Sequence, residues 1–578
     1  MKMVKSLVLG SAAALFAMGG AQAADLPVKA KAVEYVRICS LYGAGFFYIP
    51  GTDTCIKLGG YLRVDLTYNG GIYDAPFWNG EGGIRDRYAN WYNDRSRLAL
   101  TIDTRTATEY GVVRTFGQAD FQFSTFGGSG SGTSYSATIL PGATVGQVNN
   151  DTVGNGYVAV EMAFIQFAGF TFGKSASAYN TPWHGYPGNN TSFLVGGYDT
   201  VTGINNVQYQ AQFGNGVSLT VGLDDSSANN FNRTQIINAI GGVATANPAT
   251  GVGASPGTLG GAIGFTGACT SLITGLGCAY GGTAAPDIVG NVRVDQAWGL
   301  FQVSGALHDV HAGYYQAANT IPTALGGASQ VGVINFGHPS DAWGGAVSAA
   351  LQIKNIPTGA GDDIKIEGTW ATGASKYTLG TSSSDPSSFA IFSGTKLAMG
   401  VTTDAVYSGG LVCTLGTPGC NGNPQTGLQL TNSWGFRGAY NHNWDPYWSS
   451  SLFGGIAGLR YNSTAKTLWC NTFSATPGIA IAGTGNVTNG GGTGAALNAG
   501  SVCDPGFTVS MIGLVTRWTP VKNLTFSVEG LYAYLKTNMS GSASSLVAPS
   551  SAVVLPATTY TYGNNGTASL NVRVQRNF

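Results

Sequence analysis

The stretch that decides the fold is Ala568-Ser-Leu-Asn-Val-Arg-Val-Gln-Arg-Asn-Phe578. Leu570, Val572 and Val574 point one way and Asn571, Arg573 and Gln575 the other, because side chains on a strand alternate with period two. A strand left unpaired at a sheet edge is an aggregation hazard. A closed barrel removes the hazard by pairing the last strand with the first. The first strong strand pattern, Ile56-Lys-Leu-Gly-Gly-Tyr-Leu-Arg-Val-Asp-Leu-Thr-Tyr68, is a matching partner. Ile56, Leu58, Leu62, Val64, Leu66 and Tyr68 share one face, while Lys57, Arg63, Asp65 and Thr67 share the other. If these two close a ring, the chain between them must supply more strands of the same kind.

Composition narrows the choices. Only 10% of the 578 residues are charged, and 88 are glycine; ordinary soluble domains are about 25% charged. Glycine at this level disfavours helices and suits turns and tight barrel packing. Met1 to Ala23 reads as a secretory signal: Lys2 and Lys5, an apolar run from Leu7 to Met18, then Ala21-Gln22-Ala23 as an A-x-A cleavage site. Its removal leaves 26 basic and 28 acidic residues, which gives no electrostatic footprint for nucleic acid. No later run approaches the eighteen or so apolar residues a membrane helix needs. The exported protein is then either soluble or a membrane β-barrel, the other backbone arrangement that satisfies itself in lipid.

Eight cysteines fit an oxidising compartment. They fall in sequence-near pairs: Cys39 and Cys55, Cys269 and Cys278, Cys413 and Cys420, Cys470 and Cys503. None forms C-x-x-C or has histidine at zinc-finger spacing, so four loop-stapling disulfides are expected, although eight cysteines formally allow 105 connectivities.

From Ile56 onward, segments of about ten residues alternate apolar and polar, as outer-membrane strands do. In Arg97 to Asp103, Leu98, Leu100 and Ile102 face outward. In Val112 to Ser124, Val113, Phe121 and Phe123 face outward, with Arg114, Gln118, Asp120 and Gln122 inward. In Tyr157 to Phe167, Glu161 opposes Val158, Val160, Met162 and Phe164. With the closing strand the count is about sixteen. The stretch Ser375 to Thr431 is the one place where another strand, Lys396 to Val406, competes.

The connections alternate in length. Short ones such as Ala168–Gly169, Gly214–Gly216 and Trp298–Gly299 alternate with long ones such as Ala178–Ile204 and Ser226–Pro286. Short periplasmic turns and long extracellular loops are the pattern of an outer-membrane barrel. Trp298, Trp434, Trp444, Trp448, Trp518, Tyr532, Tyr534 and Phe578 lie near strand ends, where interface aromatics belong. The terminal strand ending in Phe578 is the expected contact for the barrel-assembly machinery.

Catalytic signals are sparse. Gly173-Lys174-Ser175 resembles the end of a phosphate loop but lacks its first glycine and a following helix. His308-Asp-Val-His311 would point its imidazoles to opposite faces of a strand, as solvated strand-end residues rather than metal ligands. No H-E-x-x-H occurs. What the strands carry is charge on one face: Arg63, Asp65, Arg97, Arg114, Asp120, Glu161, Arg293 and Asp295, with Asp103, Lys365, Glu367 and Arg437. On a lipid face each would cost up to ~2–4 kcal/mol at mid-membrane. A barrel this wide is not filled by its own wall side chains, so these residues are expected to line a watery lumen. The loop Ala178 to Ile204, with Trp183, His184, Tyr186, Phe193, Tyr198 and the single acid Asp199, is the expected constriction, opposite Arg63, Arg97 and Arg114.

The whole chain resembles the general porins of alphaproteobacterial outer membranes, typified by the Brucella-type porins. The stretches that carry the resemblance are Ala24-Asp-Leu-Pro-Val-Lys-Ala30, Cys39 through Arg63, Arg95 through Thr106, and Phe170-Thr-Phe-Gly-Lys-Ser175. The resemblance implies a sixteen-stranded, homotrimeric barrel, passive diffusion of small hydrophilic solutes, and a third loop folded into the lumen. Enteric-type porins carry an acidic Pro-Glu-Phe-Gly-Gly in that loop, whereas this chain has only Asp199. The reading is an all-β transmembrane antiparallel barrel: signal peptide 1–23, periplasmic lead-in 24–54, barrel 55–578. It sits in outer-membrane lipid with no cofactor, metal or nucleic-acid partner. The rival readings are a surface adhesin or structural barrel with a closed lumen, and a barrel enzyme acting on lipids.

Overall fold

The computed structural model describes residues 37–71, 91–124, 157–198, 201–226, 234–239, 280–315, 337–379, 388–408, 425–470, 480–481, 485–486, 496–498, 500–544 and 559–578. Residues 1–23 and Cys269, Cys278, Cys413 and Cys420 lie outside the described residues. Residues up to Lys57 and from Leu58 on are two compact units. In the first, Phe47–Tyr48 pairs with Cys55–Ile56, and the Cys39–Cys55 disulfide closes the hairpin. Phe46 packs beside the bridge.

Sixteen strands pair into a closed barrel. They are β1 (Thr54–Tyr68), β2 (Tyr92–Thr108), β3 (Gly111–Ser124), β4 (Tyr157–Phe167), β5 (Phe170–Ser175), β6 (Ile204–Gly214), β7 (Val217–Asp224) and β8 (Asp287–Gln296). The circuit continues with β9 (Gly299–Val310), β10 (Ala342–Lys354), β11 (Asp363–Thr372), β12 (Asn432–Asn443), β13 (Trp448–Arg460), β14 (Phe507–Val521), β15 (Leu524–Thr537) and β16 (Asn565–Asn577). Each pairs with the next, and β16 closes on β1. The closing register matches the alternation of the two end strands: Val64 opposes Val574 and Leu66 opposes Val572, while Arg63 opposes Gln575 and Asp65 opposes Arg573. The Phe578 amide donates to Gly60 O at 3.1 Å and seals the last residue to the first strand. Lys396–Val401 is not a wall strand. It pairs with Ser388–Ser393 as a separate hairpin, so the count stays at sixteen.

The outer face is apolar, with Leu62, Val64, Leu66, Val292, Val347, Leu452, Ile512 and Val528 all exposed. Exposed Trp298, Trp444, Trp448, Trp518 and Phe578 mark the short-turn end, and Trp343, Trp370 and Tyr532 lie toward the other. Trp448 and Trp518 stack at 5.9 Å on adjacent strands. Among the described residues no helix is long and apolar enough to cross a membrane.

The long connections build structure of their own. Ile236–Asn238, Ala405–Tyr407 and Gln429–Leu430 form one small sheet. Helix α1 (Lys376–Leu379) and helix α2 (Ser463–Cys470) cap neighbouring strands, and Cys470 bonds to Cys503. Both cysteine pairs within the described residues therefore join as their spacing predicts.

One wall irregularity alters the expected facing. Gln118 pairs with Met162 but Ala119 pairs with Val160, leaving Glu161 as a bulge. A bulge inserts one unpaired residue and shifts the alternation beyond it. Met162 and Phe164 therefore join the charged face, with Phe164 stacked on Phe116 at 5.3 Å, instead of sharing the outer face with Val158 and Val160.

Candidate functional site

The lumen wall of β1 to β5 gathers the charges. Asp65 is held between two arginines: Arg95 donates to its Oδ2 from Nε at 2.9 Å and Nη2 at 2.6 Å, and Arg573 donates to Oδ1. Arg97 pairs with Asp120 at 2.7 Å and Glu161 at 3.4 Å, and its Nε donates to Gln122 at 2.7 Å. The bulge thus carries Glu161 to Arg97. Arg63 donates to Gln575 Oε1 at 2.9 Å. Nearer the short turns, Arg114 meets Asp103 at 3.0 Å and Gln166 at 2.9 Å. Arg293, Asp295 and Lys354 form a separate group across β8 and β10, with both ion pairs at 3.0 Å. The expected residues therefore fall into four groups, around Asp65, Arg97, Asp103 and Asp295. Arg95 and Arg573 belong beside Asp65; their positions on the polar faces of β2 and β16 signal it. Asp199 lies outside the described residues.

The β5–β6 loop crosses the lumen and is tied to the far wall, mostly through its own backbone. Asn291 Nδ2 donates to Ala178 O at 2.5 Å and Gln302 Nε2 to Asn180 O at 2.7 Å. Asn441 donates to Pro187 O at 3.1 Å, Arg517 to Gly188 O at 2.5 Å, and Arg573 to Asn190 O at 2.9 Å. Glu529 accepts from the amides of Asn190 and, at 3.0 Å, Thr191. Arg437 donates to Tyr198 O at 3.0 Å and is paired with Glu367 at 2.7 Å. Backbone polar groups away from bulk water need such partners.

Close approach requires glycine on both sides. A β-carbon on Gly197 would lie 2.4 Å from Arg437 Nε, and one on Gly455 would lie 2.2 Å from Val195 O. Arg437 and Glu367 are consequently fully buried beneath the loop. They anchor it instead of facing water, a role their strand position alone does not reveal.

The histidine pair divides as the strand period requires, but His308 is not solvated. It is fully buried, bonded to Asp287 at 2.8 Å and to Tyr280 OH at 2.9 Å, because the loops cover this end of β9. His311 faces Asp341 at 2.9 Å. Lys174 donates to Glu161 O at 2.9 Å and to Thr202 O, so it secures the loop base on a strand end rather than a phosphate cradle. Among the described residues no group of His, Cys, Asp and Glu has the geometry to hold a metal.

An apolar outside, aromatic bands, sixteen closed strands and a loop tied across a charged lumen define a transmembrane β-barrel of outer-membrane type. A family model described as "Porin subfamily" matches residues 25–565. The chain belongs to that family. It is 35% identical over 240 residues to "Porin Omp2b" of Brucella suis biovar 1 (strain 1330), and equally to "Porin Omp2b" of Brucella abortus (strain 2308). Each match covers 41% of this chain and 58% of the relative's length. Among solved structures, the outer membrane channel DcaP of Acinetobacter baumannii aligns at 11% identity and TM-score 0.48, over 92% of this chain and 99% of that one. The anion-selective porin from Comamonas acidovorans aligns at 8% identity and TM-score 0.36, over 91% and 100%.

Proposed function

We propose that the protein is an outer-membrane porin, a water-filled channel for passive diffusion of ions and small hydrophilic solutes. The observation that carries this reading is the charged, ion-paired lumen wall of β1 to β5, on strands whose other face is apolar. Ion pairs hold Asp65, Arg97, Asp120 and Glu161 in this wall with little exposure, and the more open Arg114, Arg293, Asp295 and Lys354 are the charges that meet water and set selectivity. Family membership supports both this activity and the outer-membrane location. The proposal includes a signal peptide at 1–23, a periplasmic lead-in at 24–54, a homotrimer, and recognition of the strand ending in Phe578 by the assembly machinery. Arg63, Asp65, Arg97, Arg114, Asp120, Glu161, Asp199, Arg293 and Asp295 are its proposed pore-lining residues. No catalysis is proposed; His308 is taken up by Asp287 and Tyr280.

The test is single-channel recording of the detergent-folded protein in a planar bilayer under a salt gradient. Stepwise openings in threes, scaling with bulk conductivity, are expected. A folded, heat-modifiable barrel that never conducts would overturn the proposal in favour of a closed-lumen adhesin. That rival draws on one observation: part of the lumen is filled by apolar side chains.

A further inference from the structure

The lumen holds a second segment besides the β5–β6 loop. Within the β11–β12 connection, Ser388–Ser393 and Lys396–Val401 form an antiparallel hairpin that turns at Gly394. It lies against the inner side of β14 to β16. The Phe389 ring is 5.2 Å from Phe507, Val401 N donates to Pro505 O at 3.1 Å, and Tyr461 OH donates to Val401 O at 2.7 Å. Asn565 Nδ2 donates to Ile391 O at 3.3 Å, and Lys396–Leu397 runs parallel beside Thr561–Tyr562.

Its seat is unusual for a channel wall. On β14 and β15 the lumen-facing positions Val509, Met511, Leu531 and Leu535 are apolar and buried, while Ile512, Leu514, Val528 and Tyr532 are exposed on the outside. A strand apolar on both faces is a strand covered on both faces. Leu397 and Met399 of the hairpin, these wall residues, and Phe193 to Val195 of the β5–β6 loop belong to one hydrophobic cluster. From the long-loop mouth down to the crossing loop, this sector of the barrel is protein core.

The base of the hairpin is also pinned. Asp404 Oδ1 accepts from Ser375 N and Oγ at 2.7 Å, and Oδ2 accepts from Thr234 N and Tyr280 OH at 2.9 Å. An isolated hairpin is marginal in water, so this one persists through its seat and its base.

We propose that the hairpin 388–401 is a second size-setting element of the channel. It occludes the β13–β16 sector and confines solutes to the charged side formed by β1 to β8. The proposal rests on the channel reading above and assigns the pore cross-section to two inserted segments acting side by side, with the apolar wall as the receptor for one of them.

The experiment replaces Ser388 to Val401 with a short Gly-Ser link in the full chain, with Val509→Ser and Leu531→Ser to make the uncovered wall wettable. Bilayer conductance and the sugar cutoff in liposome swelling are compared with the unaltered protein. Because current follows open cross-section, a conductance rise of roughly twofold and entry of larger sugars are expected. A second variant, Leu397→Ser with Met399→Ser, keeps the chain length and only loosens the seat. Its currents should flicker between the original level and a higher one, with new protease cleavage near Gly394. Unaltered conductance and cutoff in the first variant overturn the inference. If that variant does not fold, a loosened, cleavable hairpin with unaltered current in the second variant overturns it. Silence of the unaltered protein is a separate result, and defeats the channel reading itself.

Discussion

Two stretches of the same inner wall obey opposite rules. Along β1 to β4 the lumen face carries Asp65, Arg97, Gln118, Asp120 and Glu161, whereas along β13 to β15 it carries Phe453, Val509, Met511 and Leu531. Their outer faces are alike, both apolar and exposed. The difference is what lies opposite. The first wall satisfies its polar groups within itself, through ion pairs between neighbouring strands. The second is covered by folded chain. Facing inward in a barrel thus does not specify polarity; the occupant of the lumen does.

The largest expected effect comes from where charge and cover coincide. Arg437→Met leaves Glu367 buried and unpaired under the crossing loop, and should cost ~3–5 kcal/mol. The measurement is the heat or urea midpoint of the folded band. Adding Glu367→Gln should recover part of the loss; no recovery would mean that the loop, not the pair, set the cost.

Next in size, Leu531→Ala opens a cavity in the covered sector and should cost about 2–4 kcal/mol. Gln118→Ala on the charged wall removes one hydrogen bond to Asp120 and should cost about 1 kcal/mol. Equal losses in the two variants would erase the distinction between the walls.

Asp65→Asn is read in current rather than in stability. It leaves Arg95 and Arg573 sharing a site without their carboxylate. The reversal potential in a salt gradient should move toward anions, with a permeability ratio changed by roughly twofold. A shift toward cations would remove Asp65 from the proposed selectivity set.

An effect read through pH lies outside both walls, in the β10–β11 turn. Burial alone would raise the Asp362 carboxyl, but hydrogen bonds from Thr358, the Asn443 amide and His442 outweigh it and bring it down to about 2. A depressed carboxylate stabilises the fold above its ordinary value of 3.8, and that share is lost as pH falls toward 2. Asp362→Asn should therefore lower the unfolding midpoint at neutral pH and converge with the unaltered protein near pH 2. A gap that persists in acid would assign the effect to packing.

Much of this molecule was legible beforehand. The alternation of Leu62 to Tyr68 against Leu570 to Val574 predicts which strands close the ring, and the alternating segments between them predict about sixteen strands. Both follow from local physics: period-two facing and the cost of charge in lipid. The Glu161 bulge was not legible, because nothing local distinguishes an inserted residue from an in-register one. The anchoring of Arg437 and Glu367 was not legible either, since their faces read as ordinary lumen. One further signal stands in the sequence. Phe507 to Trp518 and Asn523 to Lys536 lose the apolar–polar alternation, with Val509, Met511 and Leu531 on the face that should be wet. That loss marks a wall with something folded against it.

By itself, the sequence determined that this chain is a barrel, which strands close it, and which face meets lipid, because each of those choices is made residue by residue against a fixed solvent. Only the tertiary structure decided which inner wall stays polar and which becomes core. That choice depends on two distant segments, the crossing loop and the hairpin at 388–401, arriving at the same wall, and period-two alternation carries no record of what arrives.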